Sequence, residues 1–214
     1  LPGKPLLQIN GKSIIQRVYQ QVQQCKHIDT IIVLTDDERI KQAIEHIGGR
    51  CELITEACLN GTERIVKWLR QTDTVANNII VNVQGDEPFI NPVYIDQCIE
   101  NYKEKRAATP CSTPLKCSTP LKCSTLHFKM PNKEDELVAR TTGKLVLDRH
   151  NNILYCSRNV IPGGKKTLVH PEATYYGHIG VFVFEPEYLL NEYLVGNSPY
   201  QLNEDIEWLK ILED

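Results

Sequence analysis

The residues best placed for chemistry lie in the run Val81, Asn82, Val83, Gln84, Gly85, Asp86, Glu87, Pro88. An apolar strand that ends in glycine lets the backbone approach a ligand, and acids just beyond it stand where a sheet presents polar groups to a bound molecule. Asp86 is thereby placed for a magnesium ion, because hard cations take carboxylate oxygens together with substrate phosphates. The same residues also read as a turn at Gly85 and Asp86 with Glu87 beside a helix N-cap. A second candidate is Lys4, in the run Leu1, Pro2, Gly3, Lys4, Pro5, Leu6. Flanking prolines would hold this lysine rigidly, as a point charge suited to phosphate. A third is Gly61, Thr62, Glu63, Arg64, at a helix start where free backbone N–H groups favour anions. Its alternative is a capping turn with a surface ion pair. Asp36 and Asp37 follow a β-branched run and serve either as a helix cap or as contacts to a base or ribose.

Alternating elements have to position these groups. Ile14, Ile15, Val18 and Val22 have helical spacing in a segment from Gly11 to about Lys26, and Thr30 to Leu34 is a short strand. Asp36 and Asp37 then cap a helix carrying Ile40, Ala43, Ile44 and Ile47, which Gly48 and Gly49 close. Cys51 to Ile54 reads as a strand, Gly61 to Leu69 as a helix, Ile79 to Val83 as an apolar strand, and Asn91 to Tyr102 as a helix. Apolar strands separated by helices predict a mostly parallel sheet covered on both faces, the three-layer, doubly wound α/β arrangement. Downstream, Lys144 to Leu147 and Ile153 to Cys156 predict a hairpin around Asp148 to Asn152, followed by a strand at Gly180 to Phe184. A last helix is expected from about Leu202 to Leu212.

Composition removes several classes of function. Lys and Arg total 24 against 27 Asp and Glu, a net charge of −3, so no excess of positive charge draws in nucleic acid or anionic lipid. No apolar run approaches the roughly 20 residues of a membrane helix. The eight cysteines form no CxxC pair and mostly sit in apolar patterns, which reads as buried thiols of a cytoplasmic protein. Cys111 to Lys122 repeats the six-residue unit Cys, Ser, Thr, Pro, Leu, Lys, and a third copy begins at Cys123, as expected of a local duplication that lengthens a loop. The chain opens on Leu1 and stops at Asp214, and reads as a piece cut at both ends.

Leu1 to Leu6, Thr35 with Asp36, Gly61 to Arg64 and Val81 to Pro88, in this order and spacing, closely resemble the 3-deoxy-D-manno-octulosonate (KDO) cytidylyltransferases, or CMP-KDO synthetases. Lys144, Val146, Leu147 and Asp148, then Leu154, Tyr155, Cys156, Ser157 and Arg158, then Ile161 and Pro162, resemble that family's Val-Lys-Val-Val-Leu-Asp and Tyr-Phe-Ser-Arg segments. His178, Ile179, Gly180 are similar to its His-Leu-Gly stretch. Ser198, Pro199 and Glu204, Asp205, Ile206, Glu207, Leu209, Lys210 resemble its final acidic helix. The resemblance covers nearly all of the chain except the duplicated loop.

This resemblance implies a single nucleotide-diphospho-sugar transferase-like domain over residues 1–214, with a smaller dimerisation lobe at about 107–200. It implies transfer of CMP from CTP to the anomeric hydroxyl of KDO, with release of pyrophosphate, for lipopolysaccharide assembly. Lys4 would contact the triphosphate and Asp86 would hold Mg2+, making them the catalytic candidates. Thr62, Arg64 and Gln84 would bind nucleotide, and Arg64 and Gln84 would also reach the sugar. Arg158, His178, Glu204 and Glu207 would line the sugar pocket, an arginine fork suiting its carboxylate. CTP and KDO are the expected substrates, and the partner is a second copy in a homodimer. Arg158 as a surface cation and His178 as a satisfied strand-end histidine remain the plainer alternatives, and Tyr175 and Tyr176 read as packing.

Departures from the pattern matter as well. The family's opening strand with a Pro-Ala-Arg loop, and its closing Gly-Val-Asp-Thr-Pro-Glu-Asp segment, have no counterpart here. The latter supplies the second magnesium carboxylate. Phe182 stands where the family has tyrosine, and Gln201 where it has a first helix glutamate. These changes leave open a cytidylyltransferase for sialic acid or an amino-substituted KDO analogue, or a noncatalytic copy that only binds nucleotide.

Overall fold

The computed structural model describes residues 3–72, 78–107, 121–165, 167–193 and 196–213, so the first ten residues of the hexapeptide duplication lie outside the described residues. In chain order a 3-10 turn (Lys4–Leu6) is followed by β1 (Gln8–Ile9), β2 (Lys12–Ser13), α1 (Ile14–Val22), β3 (Val33–Thr35), α2 (Glu38–Glu45), β4 (Cys51–Leu53), α3 (Gly61–Arg70), β5 (Ile80–Val83) and α4 (Pro92–Ala107). Then come β6 (Cys123–Lys129), α5 (Glu134–Val138), β7 (Lys144–Leu147), β8 (Ile153–Ser157), β9 (Tyr176–Phe184), α6 (Pro186–Asn191) and α7 (Pro199–Glu204). A second 3-10 turn (Glu207–Leu209) leads into α8 (Lys210–Glu213). No helix among the described residues is long and apolar enough to cross a membrane.

The chain forms two compact units, Leu1–Ser124 with Gly180–Asn191, and Thr125–Ile179 with Glu192–Asp214. In the first, strand and helix alternate as the apolar periodicity predicts. β1 and β2 make a short antiparallel hairpin through Asn10 (φ 47°) and Gly11 (φ 76°), the left-handed pair that a two-residue turn requires. Ser13 then opens α1 with a reciprocal capping box to Gln16. Asp37 caps α2 by accepting from the Arg39 N–H at 2.9 Å. Past the end of α2, Gly48 adopts φ 76°. β3 and β4 pair in parallel, Val33 opposite Cys51. Ile15, Tyr19, Ile40, Ile44 and Cys51 bury one core against them, with Leu6, Ile31, Val33 and Ile47 at its margin. β5 pairs antiparallel with the end of β9, Val83 opposite Val181.

The second unit contains the predicted hairpin. β7 and β8 pair antiparallel around the Asp148 turn, whose carboxylate accepts from the backbone N–H of His150 and Asn152. β7 also pairs antiparallel with the start of β9, Lys144 opposite Gly177. Met130, Leu137, Val160 and Tyr175 form its core cluster. The helix expected from Leu202 to Leu212 is instead broken: α7 ends at Glu204, Asp205 is left-handed at φ 53°, and helical structure resumes only in the 3-10 turn. The cause is tertiary, since the Arg158 guanidinium takes the carbonyls of Glu204 and Asp205 while Ile206, Trp208 and Leu209 turn into the core.

Candidate active site

In the first unit, Lys4 begins the 3-10 turn directly after Gly3, whose φ of 77° only a glycine adopts readily. Its ammonium lies 2.7 Å from Asp86 Oδ2, with the two side chains 50% and 42% exposed. Asp86 follows β5 through Gln84 and Gly85, so the strand end delivers the carboxylate as the sequence predicts. The half-exposed Asp86 carboxylate could exchange this ammonium for another cation. Among the described residues no group of three or more His, Cys, Asp or Glu side chains is arranged to hold a metal ion. A magnesium ion at Asp86 would therefore complete its shell with phosphate oxygens and water, which such ions retain readily. Burial, and then the neighbouring Asp86 charge, push the Glu87 carboxyl above its ordinary range, while the Gly180 N–H and Lys4 pull the other way.

Arg64 projects from the first turn of α3 and pairs with Asp36 Oδ2 at 2.8 Å. Its own side chain is only 19% exposed, and its Nε is buried with no hydrogen-bond partner among the described residues. A buried unpaired donor on a charged group is costly unless a ligand supplies an acceptor. Thr62 is buried and accepts from Asn82 Nδ2 at 3.3 Å. The N-terminus of α3 is closed by its own residues, because Asn60 accepts from the Glu63 N–H and Glu63 accepts from the Leu59 N–H. The capping reading of Gly61 to Arg64 is thus realised alongside the exposed partner Asp36. Gln84 lies against Gly180, where an added Cβ would come within 2.6 Å of Gln84 Oε1. Phe182 stacks on Phe184 in the core, centroids 5.8 Å apart.

In the second unit, Arg158 and Glu204 grip one another. The Glu204 carboxylate accepts from the Ser157 hydroxyl at 2.7 Å and the Arg158 N–H at 3.0 Å. In return, Arg158 Nε donates to the Glu204 carbonyl, Nη1 to the Arg140 carbonyl and Nη2 to the Asp205 carbonyl. His178 Nε2 lies 2.8 Å from Thr125 Oγ1, and its ring is 4.9 Å from that of Trp208. Burial lowers its pKa to about 4, so the imidazole is neutral at physiological pH. Glu207 lies in the 3-10 turn beside Trp208. Gln201 Oε1 is buried without a hydrogen-bond partner among the described residues.

Lys4 is therefore brought to Asp86, Arg64 to Asp36, and Arg158 to Glu204. Sequence reasoning missed Trp208 against His178, Ser157 on Glu204, and Lys144, which is fully buried. A lysine at a strand position flanked by apolar residues was the available signal for the last.

The molecule presents an acid and a cation at the end of a strand, where open α/β sheets bind their ligands. It superposes on a solved CMP:2-keto-3-deoxy-manno-octonic acid synthetase complexed with CTP with a TM-score of 0.81 at 28% identity, over 100% of this chain and 80% of that one. The chain belongs to the cytidylyltransferase family, whose model matches residues 1–213. It is 34% identical to a 3-deoxy-manno-octulosonate cytidylyltransferase of Protochlamydia amoebophila, across 99% of this chain and 77% of the relative. It is also 34% identical to an 8-amino-3,8-dideoxy-manno-octulosonate cytidylyltransferase of Shewanella piezotolerans, across 99% and 78%.

Proposed function

We propose that the protein transfers CMP from CTP to the anomeric hydroxyl of 3-deoxy-D-manno-octulosonate. The sugar oxygen bonds to the α-phosphorus, the bond from that phosphorus to the bridging β-phosphate oxygen breaks, pyrophosphate leaves, and the hydroxyl proton is lost. Such a transfer needs positioning and charge neutralisation more than covalent help from the protein. The observation that carries this reading is the Lys4 and Asp86 pair at the end of β5, in a chain belonging to the cytidylyltransferase family. Lys4 binds the triphosphate, and the unpaired Nε of Arg64 supplies a further donor to nucleotide or sugar. Thr62 and Gln84 border the nucleotide. Magnesium, held by Asp86, would neutralise phosphate charge.

Arg158, His178, Glu204 and Glu207 belong to the acid-sugar side. The protein acts as a homodimer in the cytoplasm, where its free thiols Cys51, Cys98 and Cys156 stay reduced, and its product feeds lipopolysaccharide assembly. A second reading, 8-amino-3,8-dideoxy-manno-octulosonate as acceptor, is favoured by the Shewanella piezotolerans relative at equal identity. Full-length protein supplied with CTP, Mg2+ and each acid sugar decides between them by pyrophosphate release. Turnover with neither sugar would overturn the assignment.

A further inference from the structure

Lys144 is a fully buried lysine whose ammonium donates to two backbone carbonyls, those of Ala139 and Arg158, the latter at 2.9 Å. No carboxylate pairs with it among the described residues. Burial, followed by the positive charges of Arg158 and Arg140, pulls its pKa down. An apolar side chain of similar length would fill this volume without the cost of desolvating a charge. The position explains what the ammonium achieves. Lys144 opens the middle strand β7, where it stands opposite Ser157 of β8 on one side and Gly177 of β9 on the other. The next residues on those flanking strands are Arg158 and His178. The Lys144 ammonium holds the Arg158 carbonyl, and the carbonyl of the preceding Gly143 accepts from the His178 N–H at 2.9 Å.

We propose that Lys144 is a positioning residue for the acid-sugar half of the reaction: its buried ammonium ties the 139–144 segment to the backbone of Arg158 and so fixes where Arg158 and His178 are presented. The proposal rests on the assignment of these two residues to the sugar side. Lys144→Met removes the tie while keeping length and apolar volume. A displaced binding group costs affinity for the ligand it serves and leaves the other substrate alone.

The test uses the full-length enzyme with CTP and 3-deoxy-D-manno-octulosonate. The expected result for Lys144→Met is a KM for the sugar raised about tenfold with the KM for CTP within about twofold. In a cycle with Arg158→Met, the double variant should be no worse for the sugar than Arg158→Met alone, because one residue acts through the other. Additive losses, equal losses for both substrates, or an unchanged sugar KM would each overturn the proposal. Amide hydrogen exchange supplies a readout free of turnover: residues 139–143 and 158–160 should exchange faster in the variant while the β3 and β4 amides do not. Should Lys144→Met fail to fold, Lys144→Gln, whose shorter amide keeps two N–H donors without the charge, is compared in its place, and the same outcomes overturn the proposal. An inactive wild type whose variant still shows the exchange change would instead refute the assigned reaction and leave the tie standing.

Discussion

Lowering the pH should destabilise the fold through His178 by an amount that can be worked out. The imidazole lies against Thr125 Oγ1 and Trp208, and burial holds its folded pKa at about 4 against 6.5 ordinarily. The folded pKa is depressed, so the unfolded chain takes up a proton near pH 6.5 that the folded chain refuses until about pH 4. Stability from the neutral imidazole is therefore fully present above about pH 6.5 and falls as pH drops through that window. The linkage relation gives a loss of about 2 kcal/mol by pH 5 and about 3 kcal/mol by pH 4. The assay is urea unfolding of the wild type and His178→Gln at steps from pH 7 to pH 4. Groups common to both chains cancel in the difference, which should shrink by those amounts as pH falls. A difference that stays flat across the window would refute the claim that the folded chain holds this imidazole neutral.

Three further substitutions probe other links. Asp86→Ala should abolish most turnover, and calorimetry should show CTP binding losing its dependence on Mg2+. Undiminished metal dependence would remove Asp86 from the site. Gly180→Ala places a methyl group within 2.6 Å of Gln84 Oε1, so the Gln84 side chain must swing away. Substrate KM should rise several-fold while the thermal midpoint barely moves, because a flexible side-chain end is displaced rather than backbone. Ser13→Ala removes the α1 capping box and should cost about 1 kcal/mol in urea unfolding without altering KM.

Much of the first unit was legible in the sequence because its signals are local. Asp37 and Gly48 bracket α2 where capping chemistry places them, and the apolar run from Ile79 to Val83 delivers Asp86 to a strand end. The helix expected from Leu202 to Leu212 failed for the opposite reason. Its periodicity is helical, but the partner that interrupts it, Arg158, lies more than forty positions earlier in the chain. The Lys4 and Asp86 pair is likewise set by a separation of 82 residues, so sequence named both members without showing that they meet. Lys144 was visible as a residue but not as a buried one, since burial of a lysine depends on carbonyls contributed by other segments.

The two sets of cations are held in ways that predict different responses to ligand. Lys4 and Arg64 are paired with carboxylates that are 42% and 59% exposed. The Lys4 pair, exposed on both sides, is worth little, roughly 0–1 kcal/mol, so a polyanion can take that cation at small cost, while Arg64 keeps a buried Nε that a ligand's acceptor would satisfy. Arg158 is instead bonded to three backbone carbonyls, and Lys144 to two. Breaking the part-buried bonds, those to the Glu204 carbonyl and from Lys144, would leave shielded acceptors unpaired, at about 1–3 kcal/mol each. The groups assigned to nucleotide are thus poised to change partners when CTP arrives, whereas those assigned to the acid sugar are set in advance. Crosslinking or exchange measurements with CTP alone should accordingly register at Lys4 and Arg64, and the sugar alone should leave the Arg158 backbone as it is.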